Sequence, residues 1–544
     1  MKNIKRGRVI FLFVLVLCIC AVFIARLFQL QIIDGKAYRE RSVNTIVSTS
    51  VIKASRGSIL DRYGTPLAQD KQTMSVIVDR TLAEDINAEL CRLVEIFDSS
   101  EDEYINTFPI SYSESEGYSF DESYSEEETA AALTGYLESK DIDPASSAAE
   151  IAEQLAEYYE LEGYTSAQAA GIIGARYELE QRGVGNVFTF AEDISIQTAT
   201  MIKENASALK SVSVEQIPTR VYSYENSCSH VLGYVGRIYA SEYDQLREQG
   251  YKLDDIVGKS GIEKIYEPYL RGKDGSQSVS KDSDGVITSV ISSTEAVSGS
   301  DVILTVDSRM QLIVEDALQR LVRNVRALNG DSAATSASVV IMDPDNGQVL
   351  SLANYPTFNL STYYEDYDIL SKDESSPYVN RAIAGLYPPG STFKMVTATA
   401  ALETGAVNAS TIYDCTGRYT YYNDYQPACF NSTVHGDVDV IEAIKRSCNS
   451  YFFDAVRLTG IDKLVSYAEL YGFGSVTGIE LSGELPGIIA GPEYRYSQDG
   501  TWNSGDTLLA GIGQSDNLVT PMQLAVYTSA VANGGTRYTP HIVH

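Results

Sequence analysis

Ser391 and Lys394 stand one turn apart in Leu386-Tyr387-Pro388-Pro389-Gly390-Ser391-Thr392-Phe393-Lys394. The Pro-Pro-Gly turn, followed by the good helix formers of Met395 to Glu403, predicts Ser391 at the N-terminus of a buried helix. Residues i and i+3 share a helix face, so the Lys394 amine is expected beside the Ser391 hydroxyl, where a desolvated, partly deprotonated amine takes the serine proton. The same S-x-x-K spacing occurs at Ser50–Lys53 and Ser278–Lys281, but neither match follows a Pro-Gly turn or opens an apolar helix. Ser447-Cys448-Asn449 ends the helical stretch Ile441 to Arg446. It offers a hydroxyl that can relay a proton to a leaving amine and an amide that can hold a peptide backbone. A second triplet, Ser515-Asp516-Asn517, falls in a loop after Gly511-Ile512-Gly513-Gln514 and is read as a decoy.

A second constellation lies close by. Cys415, Cys429, His435 and Cys448 form the thiolate-rich, imidazole-containing set that tetrahedral zinc favours, with Asp414 as an alternative ligand. Cys448 should point away from Ser447 and Asn449, towards the segment carrying His435, so the metal's role would be structural, pinning the loop that positions them. The competing reading is a Cys415–Cys429 disulfide across the Tyr-rich hairpin, with His435-Gly436 a simple turn.

The elements that must position these residues belong to a long, acidic chain. At 544 residues several domains are expected, and a net charge of −31 argues against a nucleic-acid partner. Val9 to Ala25 is an unbroken apolar run, extended by Leu27, Phe28, Leu30, Ile32 and Ile33, long enough to cross a bilayer core of about 30 Å. Lys2, Lys5, Arg6 and Arg8 precede it, which places the N-terminus in the cytoplasm and the bulk of the chain outside. No small-x-small cleavage site follows, so an uncleaved anchor is expected. From Asp98 to Glu128 the chain is rich in Ser, Tyr, Asp and Glu without Lys or Arg, and reads as an acidic loop. Helical stripes follow at Ala148, Ile151, Leu155 and Tyr158, and at Ile172, Ile173, Tyr177 and Leu179. From Asp301 a short strand leads into an amphipathic helix through Gln311, Leu312, Val314 and Leu318. Two apolar runs, Ala337 to Pro344 and Gln348 to Ala353, then flank the turn Asp343-Pro344-Asp345-Asn346-Gly347. Strands followed by helices argue for an antiparallel sheet covered by helices, an α+β catalytic domain.

Three further stretches carry a family resemblance. Arg56-Gly57-Ser58-Ile59-Leu60-Asp61-Arg62-Tyr63-Gly64 resembles the first pedestal box of class B penicillin-binding proteins, the membrane-anchored peptidoglycan transpeptidases. Arg220-Val221-Tyr222 with His230-Val231-Leu232-Gly233-Tyr234-Val235-Gly236 resembles the second, with Ser223 where the family usually has proline. Gly258-Lys259-Ser260-Gly261-Ile262-Glu263 resembles the third. With S-x-x-K and S-x-N in family order, the resemblance spans nearly the whole chain. Pro388 to Lys394 and Gly511-Ile512-Gly513-Gln514 are similar to the elongation-type penicillin-binding protein 2 branch.

The resemblance implies a serine D,D-transpeptidase, the target of β-lactams. Ser391 would attack the D-Ala-D-Ala of peptidoglycan stem peptides, Lys394 would act as base, Ser447 as relay, and the Ser391 N–H would serve the oxyanion hole with a donor from a K-[ST]-G strand. No cofactor is required. It also implies a polytopic membrane glycosyltransferase as partner and residence in the bacterial cell membrane. The expected layout is a tail at 1–8, an anchor at 9–33, a pedestal at 34–97 and 186–300, an acidic loop and helical insertion at 98–185, and a transpeptidase domain at 301–544. Lys259-Ser260-Gly261 matches K-[ST]-G but lies before the serine, in the pedestal, and no such box follows Ser447 before His544, so a truncated sequence with little acylation is expected, and a non-catalytic assembly scaffold is the alternative.

Overall fold

The computed structural model describes Arg26 and residues 46–121, 127–182, 187–252, 255–281, 287–330 and 334–544. Apart from Arg26, the expected anchor at 9–33 lies outside the described residues, and among those described no helix is long and apolar enough to cross a membrane. The described residues form two compact units, one within 46–55, 72–219 and 273–297 and one within 56–71, 220–272 and 298–544.

In the first unit, the second half of strand Pro66–Asp79 pairs antiparallel with Val187–Ala191, Val76 facing Ala191. Its alternating Val76 and Val78 are fully buried against Leu90, Leu93 and Phe97 of helix Ile86–Asp98, as period-2 burial requires. Helices Glu127–Glu138, Ala148–Tyr158 and Ser166–Arg182 build a separate core from Leu133, Ile151, Leu155, Ile172 and Ile173. Two expectations change here. Part of the acidic stretch is not loop but a hairpin, Ile110–Ser113 with Gly117–Phe120, because buried Phe108 and Ile110 anchor it and Tyr112 packs on Tyr118. Tyr158 is exposed while Tyr159 is buried, since the helix ends at Tyr158 and its C-cap residue turns inward. A three-stranded antiparallel sheet of Ile46–Ile52, Gly275–Lys281 and Ile287–Thr294 completes the unit.

In the second unit, Asp61 holds the turn after strand Ile59–Leu60 by accepting from the Tyr63 and Thr65 N–H groups, and it also accepts from the Ser308 hydroxyl at 2.7 Å. The expected strand from Asp301 is short, Val302–Ile303. Asp307 caps helix Ser308–Asn329. That helix lies on the hairpin Ala337–Met342 and Val349–Tyr355 through buried Gln311, whose amide donates to the Leu352 C=O and accepts from the Leu352 N–H. A helical lobe of Lys394–Glu403, Asn449–Thr459, Ile461–Leu470, Ser504–Ala510 and Pro521–Ala532 closes over Phe393, Val396, Phe452, Phe453 and Tyr527, all essentially solvent-free.

Candidate active site

Gly390, at φ +53°, starts a 3-10 turn over Gly390–Phe393, and the α-helix proper begins only at Lys394. Ser391 thus sits in the 3-10 turn that leads directly into the helix. Gly513 packs against that turn at φ +73°. A Cβ there would lie 2.2 Å from the Gly390 carbonyl oxygen, and the Gly513 carbonyl accepts from the Gly390 N–H at 2.8 Å. Only glycine tolerates both the conformation and the approach.

Ser391 is exposed, whereas Lys394 is 2 % exposed. The Lys394 Nζ donates to the Ser447 carbonyl at 2.8 Å, to Ser447 Oγ at 2.9 Å and to Asn449 Oδ1 at 2.6 Å, which uses all three ammonium protons. Ser447 Oγ in turn donates to Ser391 Oγ at 2.9 Å. The lysine is therefore joined to the serine through Ser447, and among the described residues no hydrogen bond links Ser391 to Lys394 directly. Ser447 joins helix Val440–Lys445 to helix Asn449–Thr459 in a left-handed conformation, φ +53°, which presents its carbonyl and its hydroxyl to the same amine. Such a backbone costs about 1–3 kcal/mol in a non-glycine residue and persists where the surroundings over-determine it. Burial, partly offset by nearby Cys429 and Cys448, brings the Lys394 amine down to about 8.

Asn449 was expected to hold substrate backbone. Its Oδ1 serves Lys394, and its Nδ2 donates to the Ala428 C=O at 3.4 Å, tying the Tyr-rich loop to the site. The loop is held again by Tyr419, whose hydroxyl donates to Asp454 at 2.9 Å beside Arg457. The second triplet is structural here. Asn517 is buried, accepts from the Ala490 N–H and donates to the Ala510 and Gln514 carbonyls, and Asp516 pairs with Arg495 at 2.6 Å.

Next to the serine centre, Cys415, Cys429, His435 and Cys448 converge, with their ligand atoms all within 4.8 Å of one another. Strand Tyr413–Cys415 pairs with Gly436–Val438, which brings Cys415 Sγ to 3.4 Å from His435 Nδ1. Cys429 Sγ lies 3.6 Å from Cys415 Sγ and 3.9 Å from Cys448 Sγ, and no disulfide joins them. Cys448 is the N-cap residue of helix Asn449–Thr459, so its side chain turns from the serine site into the cluster. The alternative ligand Asp414 is not part of it: strand alternation turns Asp414 to solvent while Cys415 points in. The neighbouring Cys448 thiol and Ser450, which offers its N–H at 3.4 Å and its hydroxyl at 3.3 Å, hold the Cys429 thiol well below its ordinary range. Sharing that proton pushes Cys448 up. Ser450 was not singled out in the sequence, although its place one residue into a helix that starts at a cysteine is a recognisable cue.

The penicillin binding protein transpeptidase domain family matches residues 337–544, and the penicillin-binding protein dimerisation domain family matches residues 51–304. The peptidoglycan D,D-transpeptidase MrdA of Acinetobacter baumannii is 32 % identical over 339 residues, covering 61 % of this chain and 48 % of that protein. The protein of the same name from Salmonella typhimurium is 27 % identical over 552 residues, covering 98 % of this chain and 75 % of its own length. The chain thus spans about half the length of the first relative and three quarters of the second. A solved peptidoglycan synthase complex that coordinates polymerization and crosslinking contains a chain 26 % identical, with a TM-score of 0.62, covering 99 % of this chain and 79 % of that one. The complex of Helicobacter pylori PBP2 with MreC, at 22 % identity and a TM-score of 0.65 over 92 % of this chain and 78 % of that one, shares the fold.

Proposed function

We propose that this chain, which belongs to the penicillin-binding proteins, is a serine D,D-transpeptidase that cross-links peptidoglycan stem peptides through an acyl-enzyme. The observation that carries this reading is the unbroken path from Lys394 Nζ through Ser447 Oγ to Ser391 Oγ. Hydroxyl protons rotate freely, so the path runs in either direction. With Lys394 neutral, the Ser391 proton moves to Ser447 as the Ser447 proton moves to Lys394, and Ser391 Oγ adds to the carbonyl of the penultimate D-Ala. The Ser391 N–H, at the start of the turn, would donate to the developing oxyanion. When the tetrahedral centre collapses, the C–N bond breaks and the path returns a proton to the departing D-Ala amine. The acceptor amine then adds to the ester carbonyl, the Ser391 Oγ–C bond breaks, and the amine's surplus proton is carried by the same path to the departing Ser391 Oγ, restoring the free serine. A β-lactam carbonyl enters the first half of this sequence and stays as the ester.

The Cys415, Cys429, His435 and Cys448 cluster supports a structural zinc. Tetrahedral zinc with Zn–S bonds of about 2.3 Å spaces its sulfurs by about 3.8 Å, and the two closest sulfur pairs stand at 3.6 and 3.9 Å. Bound there, the metal would fix four chain segments together, with Ser450 hydrogen-bonded to one ligand, and so steady the Ser447 to Asn449 turn. The apolar run at 9–33, preceded by basic residues, supports a single-pass anchor in the bacterial cell membrane with the catalytic domain outside. The PBP2–MreC and synthase complexes support a partner in the cell-wall machinery, and we assign that role to a polytopic membrane glycosyltransferase. Fluorescent penicillin tests the central reading: label on Ser391 that vanishes in Ser391→Ala is expected, and no label on the full gene product, as a scaffold would give, contradicts it.

A further inference from the structure

Tyr527 belongs to none of the motifs that point to the active site. It lies in helix Pro521–Ala532, fully buried, with its ring against Phe473 and Tyr471 at centroid distances of 5.3 and 5.1 Å. Its hydroxyl donates to the Thr392 C=O at 2.8 Å. That bond falls on the turn that carries Ser391. Helix Lys394–Glu403 has Phe393 as its N-cap residue, so the Phe393 carbonyl accepts the first ladder bond. The Thr392 carbonyl is then one residue ahead of the ladder, and Val396 N–H is one of the donors the ladder leaves open. Helices commonly satisfy that third donor with a Ser, Thr, Asp or Asn side chain at the N-cap. Phe393 has no such group and makes no cap.

We infer that Tyr527 is a positioning residue for the nucleophile: its hydroxyl occupies the Thr392 C=O, keeps that carbonyl from the Val396 N–H and so holds Gly390–Phe393 in its 3-10 form. Without that hydroxyl, Thr392 and Val396 are free to close an ordinary i,i+4 bond, and the α-helix extends to Phe393 with Thr392 as its N-cap. A 3-10 helix turns about 120° per residue and an α-helix about 100°. Each step converted between Thr392 and Lys394 therefore changes the rotation by about 20°, which turns Ser391 Oγ off Ser447 Oγ while leaving Lys394 in place. Tyr527 touches no reacting atom and acts only through the turn. The inference rests on the reading of Ser391 as the nucleophile.

The test compares Tyr527→Phe with Tyr471→Phe in the full gene product. Tyr471 loses a hydroxyl from the same core, one that contacts Thr399 at 3.0 Å rather than the serine turn. Acylation by a chromogenic cephalosporin is resolved into non-covalent affinity and the acylation rate constant, and amide exchange at Val396 is followed beside it. Tyr527→Phe is expected to slow acylation about 10- to 100-fold, leave the non-covalent affinity unchanged and shift Val396 exchange, while Tyr471→Phe changes none of the three. An unaltered acylation constant, a loss confined to affinity, or an equal loss in Tyr471→Phe overturns the inference. Wild-type protein that fails to acylate counts against the transpeptidase reading instead, and Val396 exchange then decides the hold on the turn by itself: a shift in Tyr527→Phe alone supports it, and none refutes it.

Discussion

At the scale of residues, the site works because one amine is buried and held against Ser447 and Asn449. Lys394 takes up its proton near pH 8 rather than near the ordinary lysine value, because burial disfavours the charged form. The neutral base is the reactive form, so its fraction climbs about tenfold per pH unit below 8 and levels off above. Acylation by a β-lactam, measured by stopped flow from pH 5.5 to 9.5, is expected to rise with pH to a midpoint near 8. Lys394→Arg keeps the hydrogen-bond donors but removes the titratable base, and should abolish the pH dependence and slow acylation by about 10²–10⁴. Ser447→Ala breaks the relay and should cost about 10² or more, with the fold retained by circular dichroism. Ser391 and Lys394 were legible in the sequence because a Pro-Pro-Gly turn before a helix is strong local evidence. The bridging position of Ser447 was not, because it depends on a left-handed residue between two helices, and a serine gives no sign of that conformation.

At the scale of elements, two devices hold these residues. One is the contact of Gly513 with the serine turn. Gly513→Ala introduces a Cβ 2.2 Å from the Gly390 oxygen at a positive φ, and should cost about 2–5 kcal/mol in chemical denaturation through strain and overpacking. Acylation should fall with it. The other is the cysteine cluster, which gathers strand Tyr413–Cys415, the segment at Cys429, His435 and the start of helix Asn449–Thr459. Metal analysis of the purified protein is expected to give one zinc per chain, lost in Cys429→Ser together with part of the thermal stability. A metal-free protein with a Cys415–Cys429 crosslink is the contrary result. The residue types announced this cluster, but only the pairing of Cys415 with Gly436 shows why His435 joins it and Asp414 cannot. The hairpin at Ile110–Phe120 went unread for a similar reason: its surface is Ser, Tyr and Glu, and the apolar contacts that order it come from residues far along the chain.

At the scale of the whole molecule, the family architecture was legible from three pedestal boxes and two catalytic boxes in order, which fix the sequence of domains more firmly than any composition argument. The gathering of residues 56–71 with 298–544 was not legible, because it depends on long-range pairing such as Val302 beside Ile59. The anchor reading makes its own demand: the protein should fractionate with membranes and resist alkaline extraction, and removal of residues 1–33 should release it to the soluble fraction. The central claim is that Ser391 forms an ester through Lys394 and Ser447. Intact-protein mass spectrometry of the full gene product with benzylpenicillin tests it most directly. The predicted result is a single penicilloyl adduct mapped to Ser391, forming faster at pH 8 than at pH 6 and absent in Ser391→Ala. No adduct, or an adduct that persists in Ser391→Ala, would contradict the account.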